Sequence, residues 1–171
     1  MLCPPLRFGK DPVVILERKL RGVSAAALSR FAGRAQRAAR LRGRVQILVT
    51  GRAEVRRLNR RFRRTDKATD VLSFPARGNG VWASGPHSHM AGDIAIAAEV
   101  AARNARRFGH STAAEVKILI LHGLLHLTGL DHNDDREHGR MSRQEEKLRR
   151  KLGLPASLIR RSSSAAAGRR P

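Results

Sequence analysis

Three histidines carry the first chemical signal in this chain. In the fifteen residues Leu121 to Asp135, LHGLLHLTGLDHNDD, His122 and His126 stand four apart, Gly129 follows three later and His132 three after that. On a helix over 112–128 the i,i+4 pair stacks on one face, where both imidazoles reach a single metal ion. Gly129 can end that helix with φ > 0, and the turn then returns His132 over the same face as a third ligand. Three neutral imidazoles with a water in the open fourth position make a catalytic zinc site, one ion per chain. The plainer alternative for any one of these residues is a hydrogen-bonded core histidine.

The same spacing, H-x-x-x-H-x-x-G-x-x-H, occurs in zinc peptidases, where a Glu after the first His is the general base. Here that position is Gly123, which has no side chain to accept a proton. A peptidase mechanism loses its base, while a histidine-bound ion with its water still serves phosphodiester or acyl chemistry.

The elements that must position these histidines are legible around them. Thr112-Ala-Ala-Glu115 reads as a capping box, and Ile118 to Leu127 is apolar on nearly every side, which predicts a buried helix. Strands are expected over 12–17 (PVVILE), 44–50 (RVQILVT), 71–74 and 92–97 (GDIAIA). Helices are expected from a Ser24 cap to about residue 41, after a Thr50 cap with an inward stripe of Val55, Leu58 and Phe62, over 98–108, and over 135–152 with a stripe of Met141, Leu148 and Leu152. This pattern predicts an α+β fold: a single domain over 12–153, with a small mixed four-stranded sheet packed with helices and the histidines on a central buried helix and the following turn. Residues 1–11 and 154–171 read as flexible termini. His87 and His89 form an H-x-H pair, which reads as incidental histidines of a flexible surface loop rather than as a second metal site, because no further ligand stands near them in sequence.

Composition narrows the partners. The chain of 171 residues has 35 basic against 14 acidic residues, a formal net charge of +21. From Arg30 to Lys67 there are fourteen basic residues and only two acidic ones, Glu54 and Asp66. Such a surface can follow a phosphate backbone, and Arg forks suit phosphate oxygens. Aromatic interleaving is sparse: Phe31, Phe62 and Phe74 lie nearby, at least some of them expected in the core, and there is no tyrosine, so the sequence offers little evidence of a base-stacking platform of the kind found in general single-strand binders. A single cysteine, Cys3, excludes an internal disulfide framework and fits a reducing compartment. No apolar run is long enough for a membrane span or a signal peptide, so a soluble, cytoplasmic protein is expected.

Three segments, LNRRFRRTDKATDVLSFP (58–75), GDIAIA (92–97) and HGLLHLTGLDH (122–132), resemble in order the motifs of the YbeY-family endoribonucleases, bacterial rRNA maturation factors. The resemblance implies a zinc-dependent, single-strand-specific endoribonuclease of 16S rRNA 3′-end maturation and ribosome quality control, whose partners are single-stranded rRNA and the small ribosomal subunit, with no membrane involved. It implies zinc ligands His122, His126 and His132, and a functional arginine at Arg63, preceded by Phe62 where Tyr is usual. Asp70, Ser73 and Asp93 fall within the matched motifs. Leu130, Asn133, Thr65 and Ala68 depart from residues common in the family, and none of these changes removes a ligand. Two other readings compete: a ribosome-assembly RNA-binding protein with a structural zinc, and another zinc hydrolase. The first would bind rRNA along the basic surface without turnover.

Overall fold

The computed structural model describes residues 12–76, 90–130 and 135–155, the last stretch in its side chains from residue 139 onward. Four strands form one mixed sheet: β1 (Val13–Leu16), β2 (Arg44–Thr50), β3 (Val71–Pro75) and β4 (Met90–Ala97). Their order is β1-β2-β4-β3, with β1 parallel to β2, β2 parallel to β4, and β3 antiparallel to β4 on the edge. The helices are α1 (Ala25–Ala38), α2 (Arg52–Arg63), α3 (Ala98–Phe108), α4 (Thr112–Leu127) and α5 (Asp135–Leu152). The expected α+β class and four-stranded mixed sheet are both present.

The period-2 alternation of the strands divides the apolar residues between two layers. On one face Val45, Ile47, Val49, Ile94 and Ile96 pack with Leu28 and Phe31 of α1, with α4, and with Met141 and Leu148 of α5. On the other, Leu72, Ala95 and Ala97 meet Val55 of α2 and Val100 of α3. α4 touches both neighbouring strands and three helices. Its Ile118, Ile120, Leu121 and Leu124 are wholly buried, each side chain contributing about 2 kcal/mol on removal from water. That all-round burial is why its sequence is apolar on every side.

Several boundaries differ from the sequence reading for identifiable reasons. α4 is capped by Ser111, whose Oγ accepts from the Ala114 N–H at 3.1 Å. Glu115, expected to complete a box from Thr112, instead lies buried with an oxygen 2.6 Å from His110 Nε2. α1 stops at Ala38 rather than near residue 41 because the Gln36 amide binds the carbonyls of Leu41 and Gly43 and pins the turn. Thr50 does not cap α2; its hydroxyl donates to Glu17 at 2.6 Å, and Glu99 accepts from the Arg52 N–H at the helix start. Phe62, expected inward with Val55 and Leu58, is 59% exposed. The stripe of α2 outruns the sheet there, and Phe62 meets the ring of Phe74 edge-on, at 5.2 Å.

Among the described residues no helix is long and apolar enough to cross a membrane. The segments expected to be loose at the two ends fall outside the described residues, apart from Leu154 and Pro155, and so does most of the loop holding His87 and His89.

Candidate metal centre and nucleic-acid interface

The last two turns of α4 present His122 and His126 together, as their spacing requires. Their Nε2 atoms are 3.1 Å apart and their rings cross at 74°. Two nitrogens at about 2.0–2.1 Å from one tetrahedral ion would stand roughly 3.3–3.4 Å apart, so the pair converges on a point that suits a shared ion. His132 lies outside the described residues, and among those described no cluster of three or more metal-binding side chains forms. The histidine pair fits two of the three ligands of a zinc site.

Glu145 of α5 fixes the orientation of the first ring. Its Oε2 accepts from His122 Nδ1 at 3.0 Å, which leaves Nε2 as the atom with the lone pair. The other carboxylate oxygen is bound by Arg149, one helical turn on and almost fully buried. Burial alone would push the Glu145 carboxyl up, but the bonds from His122 and Arg149 outweigh it and hold the group below its ordinary value. Neither Glu145 nor Arg149 is foreseen by the histidine motif. The signal lay in α5, where both residues fall at helical spacing among Met141, Leu148 and Leu152: a charged pair on an apolar stripe calls for a buried partner.

Gly123 explains the missing base in structural terms. A Cβ there would stand 2.9 and 3.0 Å from two Ile94 methyl carbons and 3.1 Å from Ser73 Oγ. The helix lies directly on β3 and β4 at this point, so any side chain there would have to displace Ile94 and Ser73. Ser73 uses the closeness by donating its hydroxyl to the Gly123 carbonyl at 3.3 Å.

Arg63, at the end of α2, reaches the edge of the same strand, where its Nη2 donates to the Ser73 carbonyl at 3.1 Å. Ser73 thus links the arginine to the residue following His122. A guanidinium has five N–H donors, so this anchor leaves others for an anion. The loop beyond Arg63 is held by Asn59, buried, whose amide donates to the Lys67 carbonyl at 2.7 Å. Asp70 organises the entry to β3: its Oδ1 accepts from the Val71 N–H at 2.9 Å and its Oδ2 from Asn104 at 3.4 Å. Asp93 pairs across the ladder with Phe74; its side chain stays exposed, and partial desolvation by its surroundings raises its carboxyl above the ordinary value.

The basic face is partly neutralised. Asp66 takes Arg56 and Glu54 takes Arg57, each through two oxygens. These are the two acids of the 30–67 segment, which leaves Arg60, Arg61, Arg63 and Arg64 exposed beyond them at the end of α2.

Residues 11–153 match the family model described as Endoribonuclease YbeY. A protein of that name from Koribacter versatilis is 53% identical over 154 residues, covering 90% of this chain and 94% of its own length. Another from Solibacter usitatus is 49% identical over 138 residues, covering 81% of this chain and 86% of its own. The solution structure of TM1509 from Thermotoga maritima shares the fold at 21% identity, with a TM-score of 0.50 over 93% of this chain and 99% of that one.

Proposed function

The chain belongs to the endoribonuclease YbeY family, and on that footing we propose that it is an RNA-cleaving hydrolase: a zinc-dependent, single-strand-specific endoribonuclease that matures the 3′ end of 16S rRNA. The observation that carries the metal-dependent reading is the convergence of the His122 and His126 Nε2 atoms with Glu145 on the outer nitrogen of His122. A core histidine pair has no need of a carboxylate on its outer nitrogen, whereas a ligand pair gains a fixed tautomer from it.

In this reading His122, His126 and His132 hold the ion, which when bound supplies a Lewis acid and a water of lowered pKa. The protein's own groups do the rest. Glu145 keeps the proton on His122 Nδ1. Arg63, steadied by the Ser73 carbonyl, offers its remaining donors to the scissile phosphate and the charge that develops on it. Arg60, Arg61 and Arg64 hold the neighbouring backbone. The steric block at Gly123 speaks against an acyl hydrolase of the peptidase type, and the charge of +21 speaks against small neutral substrates.

The test pairs elemental analysis with cleavage of a single-stranded rRNA fragment by the wild type and by His126→Ala. The expected outcome is about one zinc per wild-type chain, with metal and cleavage both lost in the variant. Zinc retained with no cleavage by either protein would turn the reading to a structural zinc in an RNA-binding assembly factor. Full cleavage by the metal-free variant would remove the zinc mechanism altogether.

A further inference from the structure

Phe62 stands out among the described residues as a large aromatic side chain in solvent, 59% exposed at the end of the most basic helix. It is not loosely placed. Phe74 meets its ring edge-on at 5.2 Å and 61°, and the Arg61 guanidinium lies 5.3 Å from its centroid. The next residue is Arg63, tied to the edge of β3. The ring therefore sits beside the arginine assigned to the phosphate, with Arg60, Arg61 and Arg64 exposed around it.

Resting on the ribonuclease reading, the geometry points to a nucleobase subsite: Phe62 stacks one unpaired base of the bound strand next to the phosphate held by Arg63. The ligand that fits must carry an anionic backbone and a flat π face within one nucleotide of each other, and single-stranded RNA offers both. A duplex hides its base faces inside the helix and has no free face to stack. Stacking also discriminates by strandedness without reading sequence, because every base has a π face. An arginine over the ring adds a cation that can follow the phosphate or cover the far side of the base.

The experiment measures binding of a short, cleavage-resistant single strand by fluorescence anisotropy to the full-length, zinc-loaded protein, comparing wild type with Phe62→Ala, Phe62→Leu and Phe62→Trp. Melting curves check that each variant is folded. The expected result is a loss of about tenfold for both Ala and Leu, none for Trp, and an unchanged salt slope, because stacking releases no counterions. A second strand set carries one abasic residue at successive positions. In wild type one position costs about tenfold, and in Phe62→Ala that position costs nothing further, since the base and the ring are two halves of one contact. Wild-type affinity in the Leu variant, an abasic penalty that survives in the Ala variant, or equal losses on duplex RNA would each overturn the stacking subsite while leaving the nuclease reading intact. A wild-type protein that neither binds nor cuts single strands would instead remove the ribonuclease reading on which the subsite rests.

Discussion

At the scale of single residues, the proposed metal site depends on which nitrogen of His122 carries the proton. Glu145→Gln keeps the size and a hydrogen-bonding oxygen but removes the charge that His122 and Arg149 both face. Zinc affinity, measured by competition with a chelator, is expected to fall about 10- to 100-fold. Unfolding stability should drop by about 2–3 kcal/mol, because Arg149 loses its buried counterion. A purely structural carboxylate would lower the melting temperature without changing zinc affinity per folded molecule, and that result would sink the positioning role. The pH dependence has a definite sign. The folded-state pKa of Glu145 is held below its ordinary value, so its stabilisation is present above the carboxylate range and lost as pH falls through the lowered value. The gap between wild type and variant should therefore close below about pH 4. The histidine pair was legible from spacing alone, since a helix fixes where i and i+4 stand. Its carboxylate partner lies 23 residues from His122 and was not, because a contact between two helices leaves no local period in either.

At the scale of elements, helix and strand positions followed from apolar period, and the misreadings came where two residues could do the same local job. Ser111 and Thr112 both suit an N-cap, and only the packing of Glu115 against His110 decides between them. Thr50 suited a cap equally well until Glu17 claimed its hydroxyl. Phe62 continued the stripe of α2, and nothing in that stripe announces where the sheet beneath it ends. The interlock of α4 with the sheet is a further case, since Gly123 read as a missing base and is also a contact point. In an exposed helix Gly→Ala stabilises by about 1 kcal/mol. Here Gly123→Ala is expected to destabilise by about 1 kcal/mol, the overpacking against Ile94 and Ser73 exceeding the helix gain. Chemical denaturation would show it, and a variant more stable than wild type would mean that Ile94 yields at no cost.

At the scale of the whole molecule, charge and catalysis occupy neighbouring but separate parts of the chain. In the proposed reading the basic end of α2 would meet the backbone of the substrate and bring Arg63 to it, while α4 and α5 hold the histidine pair and its carboxylate. Binding of a cleavage-resistant single strand should follow salt with a log–log slope of about −3 if Arg60, Arg61, Arg63 and Arg64 each neutralise one phosphate, a loss of roughly fiftyfold between 50 and 200 mM. A flat salt response would detach the basic face from RNA. The division also bears on how the protein comes into being. A polypeptide released or stalled between residues 132 and 141 would carry all three candidate ligand histidines and the whole arginine face, yet have no carboxylate to set the His122 ring and no Met141 or Leu148 to close the core around it. On the ribonuclease reading the growing chain would grip RNA before it could cut it, and cleavage would wait for α5 to leave the ribosome, so that incomplete copies of the nuclease stay harmless.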